Sequence, residues 1–466
     1  MSWTLQQILS ATGGKLMRPA AGAAFGEVVT DSKKVEPNSV FVALKGRKFD
    51  GHRFAKDAAR RGAACLIVHK RIPLAQAKNA AVVRVKDTLE ALGALGHYRR
   101  MHLNPTVLAI TGSNGKTTTK EMVAAILEKA ALHGKKLRGN VLKTEGNYNN
   151  LVGLPLTLLR LSERDRAAVV ELGTSNPGEI ARLTRIAAPD VAIVTSVGPA
   201  HLSGLKSVAG VEREKGSIYR GLRRGGVAVV NLDDPRTRRI GSKLKGKKIT
   251  YGMRGRIRAE DARPIVDGGT AFVLRIGGKR ARVRLRLPGD HNLLNALGAA
   301  ALAHAAGVDL RAIRAGLEAV RPFSMRMAVE RWNGLGIIND AYNANPASME
   351  AALKTLARMN GGRKIAVVGD MLELGGETRK RHLAVGRQAA ECGIDRLYIF
   401  GKQARLVRRG ALAAGMASDR LAVGKTHDGI ASSLRKNLRA GDWILFKGSR
   451  GMRMEKVLGA LKARGA

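Results

Sequence analysis

The chain has 466 residues, a length that suits about three domains. Its residues are 45% hydrophobic and 26% charged, which is typical of a globular protein and excludes a disordered chain. Its two cysteines, Cys65 and Cys392, lie far apart, and its apolar runs fall short of the ~18 residues of a membrane span, so we expect a cytoplasmic protein without a disulfide framework. The formal net charge of +45 favours anionic partners, whereas an aromatic content of 4% argues against a surface that stacks single-stranded nucleic acid.

Residues 1–104 are predicted to form a small α/β domain. Short apolar runs at 40–44 and 65–68 predict strands, and a basic stretch at 54–61 predicts a helix. Asn104-Pro105 then interrupts the pattern, because the residue before a proline is biased away from the helical conformation. We place the first domain boundary there.

Residues 105–322 are predicted to form a central domain with a mostly parallel sheet. Apolar runs without alternation, separated by helical stretches, are typical of buried parallel strands. A helix is predicted for 121–132, and the alternation of arginine with apolar residues at 282–287 predicts an antiparallel edge strand with its arginines on one exposed face. The predicted parallel strands lie at 107–110, 168–170, 191–194 and 227–230.

Residues 323–466 are predicted to form a third domain, after a boundary near Arg321-Pro322. Apolar runs at 365–370, 397–401 and 443–446 alternate with helical segments, which is typical of a Rossmann-like, doubly wound sheet. The predicted fold class is therefore α/β with three domains.

The strongest local signal is TGSNGKTT at 111–118, which follows an apolar strand and precedes a helix, as a phosphate loop requires. The glycines allow the backbone to approach phosphates, Lys116 reaches the β- and γ-phosphates, and the Thr117 hydroxyl is a ligand for Mg²⁺. Ile110 stands where the general motif has its first glycine, so the loop is a variant. The predicted nucleotide-binding residues of the loop are Gly112, Ser113, Asn114, Gly115, Lys116, Thr117 and Thr118.

The chain resembles the Mur ligases, ATP-dependent amide-forming enzymes of peptidoglycan assembly. The likeness covers nearly the whole chain and includes the shortened phosphate loop. The motifs that carry it are TEGNYNN at 144–150 with GLP at 153–155, ELG at 171–173, PAHL at 199–202, GDHN at 289–292 with Asn295-Ala296, DAYNANP at 340–346, GDMLELG at 369–375 and KGSR at 447–450.

The last three motifs resemble the branch of the family that joins D-alanyl-D-alanine to UDP-N-acetylmuramoyl-tripeptide. TDSKKV at 30–35 and FVALKG at 41–46 resemble the UDP-sugar-binding domain of such enzymes. The resemblance therefore implies a UDP-binding N-terminal domain, ATP and Mg²⁺ as cofactors, and these two substrates. It also implies an acyl-phosphate intermediate and, we expect, a monomer.

The candidate metal-binding and catalytic residues are identified by their position after predicted strands and by the family resemblance. Glu171 directly follows an apolar run, and a carboxylate at the carboxyl end of a parallel strand faces the crevice where nucleotides bind. The resemblance implies Thr117, Glu171, His201 and Lys215 as metal ligands, Lys215 after carbamylation. It implies catalytic roles for Lys116, Lys215, His201 and Arg326.

Further residues are predicted to bind substrates. Asn292 and Asn295 are predicted to contact the nucleotide, because an amide can both donate and accept hydrogen bonds. The resemblance also implies nucleotide contacts by Arg326, Asp340 and Asn343. Those predicted to bind the other substrates are Asp31, Ser32, Lys45, Asn149, Asn150 and Arg450.

One departure concerns loop geometry: the family usually has Pro-Gly-Arg where this chain has Ser324-Met325-Arg326.

Three alternatives remain open from the sequence. The first alternative is a Mur-type ligase that uses a different amino-acid donor. The second is a basic phosphate-loop ATPase that acts on nucleic acid, although we expect no specific nucleic-acid partner. Separately, the +45 charge predicts weak association with an anionic membrane.

Overall fold

The computed structural model of the protein describes residues 2–20, 24–46, 49–77, 79–132, 134–265 and 269–463. These residues form three successive α/β units, built on sheets of five, nine and six strands. The predicted fold class is confirmed. Within the described part of the chain, no helix is long and apolar enough to cross a membrane.

The first unit is a small, mostly parallel sheet flanked by helices. Its elements are β1 (Trp3–Thr4), α1 (Leu5–Thr12), β2 (Lys15–Arg18), β3 (Ala24–Phe25), β4 (Val28–Val29), β5 (Val40–Val42), α2 (Ala55–Arg60), β6 (Cys65–Val68), β7 (Ala81–Arg84) and α3 (Thr88–Leu103). The strand order is β2-β7-β6-β5-β4, with β2 antiparallel to β7 and the other pairs parallel. The predicted strands and helix are confirmed as β5, β6 and α2.

The central unit holds the nine-stranded sheet. Its elements are β8 (Thr106–Thr111), α4 (Lys116–Leu127), β9 (Ala131–Leu132), β10 (Lys135–Lys136), β11 (Val141–Lys143), α5 (Gly153–Leu159), β12 (Ala167–Glu171), α6 (Glu179–Ala187), β13 (Val191–Val194), α7 (Leu202–Leu205), α8 (Val208–Gly216), β14 (Val227–Asn231), α9 (Pro235–Ser242), β15 (Lys248–Tyr251), β16 (Ile257–Ile265), β17 (Gly269–Ile276), β18 (Lys279–Leu285), α10 (Asp290–Ala305) and α11 (Leu310–Ala319). The strand order is β11-β12-β8-β13-β14-β15-β16-β17-β18, parallel as far as β16 and antiparallel beyond it.

Apolar cores cover both faces of this central sheet, as its continuous apolar strands predict. The alanine-rich helix α10 packs closely on one face, since a Cβ at Gly298 would lie only 3.1 Å from Cδ1 of Ile193. All four predicted parallel strands are confirmed as β8, β12, β13 and β14. The loops after these strands are therefore anchored on a rigid, dry sheet.

Two other expectations for the central unit had mixed outcomes. The edge strand is confirmed as β18, where Arg282 and Arg284 are exposed. The helix predicted at 121–132 is wrong at both ends, because α4 begins at Lys116 and ends at Leu127. Ala130 and Leu132 are buried in the same core as the helix, so the apolar spacing continues after the backbone has turned into β9.

The third unit is the six-stranded sheet. Its elements are β19 (Ala328–Trp332), β20 (Leu335–Asp340), α12 (Pro346–Ala357), β21 (Lys364–Gly369), α13 (Thr378–Glu391), β22 (Arg396–Phe400), α14 (Ala404–Ala413), β23 (Leu421–Gly424), α15 (His427–Arg435), β24 (Trp443–Lys447) and α16 (Glu455–Ala463). The order is β19-β20-β24-β21-β22-β23, with β19 antiparallel to β20 and the rest parallel. The three predicted strands are confirmed as β21, β22 and β24.

Helix α3 joins the first unit to the central one. Its Leu92 and Leu95 lie in the core of the first unit. Arg100, fully buried, donates to the carbonyl oxygens of Ala187 and Ala188 and forms an ion pair with Asp190 at 2.9 Å. The predicted boundaries at 104/105 and 322/323 fall after α3 and before β19, and as domain limits they stay predictions.

We expect Arg100→Ala to lower the free energy of unfolding by about 3 kcal/mol, because it leaves buried carbonyl groups and part of Asp190 without a donor. Arg223→Ala is the matched control: its guanidinium also pairs with Asp190, at 3.3 Å, but is about a third exposed, so the expected loss is below about 1 kcal/mol. Chemical denaturation measures both values. Equal losses would contradict the anchoring role of Arg100.

Candidate active site

The predicted phosphate loop connects β8 to α4 and is held in shape by its neighbours. The backbone N–H of Ser113 donates to the Ser196 carbonyl at 2.8 Å, and that of Asn114 donates to the Ser196 hydroxyl at 3.1 Å. A Cβ at Gly112 would lie 1.8 Å from the Thr195 hydroxyl oxygen, so a side chain has no room there. Because the first N–H groups of a helix lack intrahelical partners, the start of α4 presents donors suited to an anion.

Lys116 lies over this loop and donates to the Gly112 carbonyl at 2.8 Å. Burial lowers the pKa of its ammonium group, the nearby Glu171 carboxylate raises that pKa, and Arg326 lowers it. Lys116, Glu171 and Arg326 are thus within electrostatic reach of one another. A phosphate group here would favour the charged form of Lys116.

Glu171 ends β12 and is buried at the same edge of the sheet. One carboxylate oxygen accepts from the Thr117 hydroxyl at 2.7 Å, and the other accepts from the Asn149 amide at 2.9 Å. A carboxylate beside a hydroxyl is a donor set that suits Mg²⁺, which binds proteins through few oxygen ligands and keeps waters and phosphate oxygens for the rest. Glu171 and Thr117 therefore fit the predicted metal.

Lys215, on α8, is fully buried, with 1% of its surface exposed. Burial holds the pKa of its amine well below the usual value, Lys116 lowers it further, and Glu214 and Glu171 raise it. The carboxylate of Glu214 is occupied, since it accepts from the backbone N–H groups of Gly178 and Ile180, both at 2.7 Å. The structure therefore favours the neutral amine that carbamylation requires, and the modification itself stays a prediction.

His201 lies in the loop after β13 and contacts the third unit. Its Nδ1 lies 2.7 Å from a carboxylate oxygen of Glu373, and the hydrogen bond to this imidazole lowers the pKa of that carboxyl group. The Ser203 N–H also approaches the Glu373 carbonyl, at 3.4 Å. In this arrangement His201 joins two units, and its role as a metal ligand stays a prediction.

A second contact between units reaches the phosphate loop directly. The Asn345 amide donates to the Asn114 side-chain oxygen at 2.7 Å, while the Asn345 oxygen caps the start of α12. The Arg326 guanidinium lies 3.9 Å from the centre of the Tyr342 ring, a cation–π contact. Met325, where the family usually has glycine, adopts a left-handed φ of 57°, so the loop keeps a turn that disfavours side chains.

The four residues of α10, β20 and the loop after β20 that are predicted to contact the nucleotide make mainly internal contacts. Asn292 is buried and donates to the Pro288 carbonyl at 2.8 Å, whereas a Cβ at Gly115 would lie 2.2 Å from the Asn295 side-chain oxygen, so Asn295 borders the phosphate loop. Asp340 pairs with Lys447, whose ammonium also donates to the Asn343 carbonyl at 3.0 Å. Nucleotide contacts by these residues stay predictions.

The predicted residues for the other substrates lie on loops, and their recorded contacts are local. Asp31 caps the short turn that contains the buried Ser32, and the exposed Lys45 forms a backbone bridge with Asp50. Asn149 donates to Glu171, as described above, and the side-chain oxygen of the exposed Asn150 accepts from the Gly153 N–H at 2.8 Å, just before α5. Arg450 is exposed and pairs with Glu455 at 2.9 Å.

Four residues of the site were not singled out by the sequence reasoning. Glu373, Asn345 and Lys447 lie within quoted motifs, which was the available signal, yet their contacts depend on how the units meet. Lys120, next to the loop, is buried, donates to the Thr144 carbonyl and pairs with Glu121 at 2.8 Å. Only its place in the TTTK sequence hinted at this role.

Three family models match successive parts of the chain. Residues 25–100 match the Mur ligase family catalytic domain, residues 110–303 match the Mur ligase middle domain, and residues 325–450 match the glutamate ligase domain of Mur ligases.

Curated relatives are similar over their whole length. The chain is 37% identical to the UDP-N-acetylmuramoyl-tripeptide--D-alanyl-D-alanine ligase of Escherichia coli strain K12, over 100% of this chain and 99% of that one. Identity to the ligase of the same name from Bacillus subtilis strain 168 is 35%, over 98% and 97% of the two chains.

Solved structures agree. MurF from Acinetobacter baumannii matches with a TM-score of 0.91 at 34% identity, over 100% of this chain and 99% of that one. MurF ligase from Thermotoga maritima in complex with ADP matches with a TM-score of 0.82 at 29% identity, over 94% and 97%.

For the enzyme with Lys215 not carbamylated, we expect Lys215→Met to raise the thermal midpoint by about 2 °C at pH 7. Burial depresses the pKa of the Lys215 amine below its value in the unfolded chain, which is about 10.4. At a pH below 10.4, folding therefore disfavours the protonated amine, and this destabilises the native state. The destabilisation shrinks as the pH rises towards 10.4. Methionine has no proton to lose, so the difference in thermal midpoint between the variant and the parent enzyme should narrow from pH 7 to pH 10. Calorimetry measures it.

Lys120→Met is the matched control, because Lys120 is equally buried but paired with Glu121. Its loss leaves the Thr144 carbonyl without this donor and the Glu121 carboxylate with Lys143 as its remaining partner, so the midpoint should fall. A lower midpoint for Lys215→Met at pH 7 would contradict our interpretation of the buried amine.

Proposed function

The chain belongs to the Mur ligase family, and from that premise we propose that it joins D-alanyl-D-alanine to UDP-N-acetylmuramoyl-tripeptide at the expense of ATP, in peptidoglycan synthesis. The observation that carries this proposal is similarity from end to end, at 37% identity, to a ligase of that name. The cationic phosphate loop beside a buried carboxylate supplies the chemistry that such a reaction needs.

The proposed reaction has two steps. A carboxylate oxygen of the tripeptide attacks the γ-phosphorus of ATP, the bond from that phosphorus to the ADP oxygen breaks, and an acyl phosphate forms. The neutral amine of D-alanyl-D-alanine then attacks the acyl carbon, the carbon–oxygen bond to phosphate breaks, and the amine loses one proton. The products are an amide, ADP and inorganic phosphate.

The first step brings two anions together, so neutralisation and positioning dominate its barrier. Lys116 and the N–H groups at the start of α4 would hold the β- and γ-phosphates. Arg326, whose guanidinium contacts the face of the Tyr342 ring, would bind an oxygen of the transferred group, because a guanidinium matches phosphate geometry. Asn292, Asn295, Asp340 and Asn343 would position the nucleoside.

Glu171 and Thr117 would hold Mg²⁺, which supplies further positive charge next to the phosphates. His201 and carbamylated Lys215 are the proposed ligands of a second site. The buried neutral amine of Lys215 supports the modification, and intact-mass measurement of the purified enzyme tests it. For His201, Nδ1 lies against the Glu373 carboxylate, so Nε2 is the nitrogen that would ligate the metal.

The remaining substrate contacts and the cellular setting are proposals of the same kind. Asp31, Ser32 and Lys45 would bind the UDP end, and Asn149, Asn150 and Arg450 would contact the peptide substrates. Free cysteines support a reducing, cytoplasmic location. We take the enzyme to be a monomer. We also propose that it has weak affinity for anionic membranes, and vesicle co-sedimentation at low and high salt tests that affinity.

The decisive experiment is mass spectrometry of the product formed from ATP, UDP-N-acetylmuramoyl-tripeptide and D-alanyl-D-alanine. We expect the pentapeptide product and one ADP per bond. Lys116→Ala should lower kcat/KM at least ~10³-fold through lost transition-state stabilisation. Lys129→Ala, an exposed lysine after the same helix, should leave it unchanged.

Undiminished joining by Lys116→Ala would overturn the role of the loop. Product formation with single amino acids instead of the dipeptide would favour a different donor. ATP hydrolysis stimulated by DNA or RNA, without any ligation, would favour the nucleic-acid alternative.

Asn345→Ser tests the contact between the third unit and the phosphate loop. Serine keeps the cap of α12 but is too short to reach Asn114, so we expect an unchanged thermal midpoint and about a tenfold loss of kcat/KM for ATP. A lower midpoint with full activity would show that Asn345 acts through the helix cap alone.

A further inference from the structure

A cavity of about 690 Å³ lies in the central unit, away from the site described above. Its walls are α8, α9, and the loops that lead into β14 and β15. These loops precede the amino ends of parallel strands, whereas Gly112, Glu171 and His201 follow carboxyl ends. The cavity and the phosphate loop therefore lie at opposite edges of the sheet.

The rim of the cavity is strongly cationic. Its acid, Glu212, is already neutralised by an ion pair with Arg239. Among the described residues of the rim, Arg223 pairs with Asp190, and the other cations form no ion pair. These cations are Arg213, Arg220, Lys243, Lys245 and Lys247.

The floor of the cavity is apolar. Leu222, Ile240 and Leu244 are half-buried: each packs on the core of the central sheet and leaves part of its surface open. Water in such a space contacts hydrocarbon below and cations above. Displacing it with an apolar group is favourable, and the rim favours a negative charge at the mouth.

We propose that this cavity binds an amphiphilic anion, that is, a phosphate or carboxylate head group joined to a hydrocarbon chain. The head group lies among the rim cations and the chain lies on Leu222, Ile240 and Leu244. The volume falls within the range of cavities that hold small ligands. By contrast, Arg280, Arg282 and Arg284 stand exposed on the edge strand β18.

Isothermal titration calorimetry at physiological salt tests the proposal, with saturating ADP to occupy the phosphate loop. The probes are dihexanoylphosphatidic acid, decanoate, inorganic phosphate and the zwitterionic dihexanoylphosphatidylcholine. We expect one site for an amphiphilic anion, at least tenfold tighter than for inorganic phosphate or the zwitterion. Preference for the phosphatidic acid identifies a phospholipid source, and preference for decanoate identifies a fatty acid.

Two charge variants locate the site. Replacing Arg213, Lys243 and Lys245 by serine should weaken binding at least tenfold, with ligase activity and thermal midpoint unchanged. Replacing Arg280, Arg282 and Arg284 by serine removes the same charge from β18 and should change binding less than twofold. Leu244→Ala should weaken binding about threefold, because it removes part of the floor.

Three results would overturn the proposal. Equal loss in the two triple variants would show that binding follows the overall charge of the chain. Inorganic phosphate binding as tightly as the amphiphile would remove the role of the floor. Absence of binding by both anionic amphiphiles would show that the cavity takes no such ligand.

Discussion

The site is organised by basic side chains gathered around the buried carboxylate of Glu171. Arg326 lowers the pKa of Lys116, Lys116 lowers the pKa of the buried Lys215 amine, and Glu171 raises the pKa of both lysines. Such an arrangement is unfavourable alone, since each positive charge disfavours the charged form of the basic group beside it. Anions entering the site relieve that repulsion, so binding energy is concentrated where phosphate is transferred.

The rigidity of the central sheet makes this arrangement possible. Buried strands deliver Glu171 and the phosphate loop to one edge, and hydrogen bonds from Thr117 and Asn149 fix the orientation of the carboxylate. The third unit then touches the same edge through Asn345 and Glu373. Its position is therefore coupled to the loop that holds phosphate, so movement of that unit changes the shape of the site.

The features that sequence reasoning predicted are local ones. A buried strand, a glycine-rich loop and the helix after it are encoded in consecutive residues, and β8 and the phosphate loop were accessible in this way. The end of α4 was not, because Ala130 and Leu132 stay in the core after the helix stops. Apolar spacing reports burial, and it does not report the backbone conformation that achieves burial.

Contacts between distant segments were out of reach for the same reason. Asn114 and Asn345 are separated by 231 positions, and His201 and Glu373 by 172. No periodicity links them, so only the packing of the units brings them together. Lys215 is similar: a lysine beside two glutamates is typical of an exposed helix face, yet the fold buries it completely.

The surplus of basic residues has different consequences in different places. On β18, exposed arginines lie along the edge of a sheet, where repeated charge opposes pairing with another chain, so they need no ligand. Around the cavity behind α8, the same residue types stand above open apolar surface, and charge and hydrocarbon together select a ligand that has both. The role of a lysine or arginine in this protein depends on the surface beneath it, and the net charge of +45 alone does not distinguish these roles.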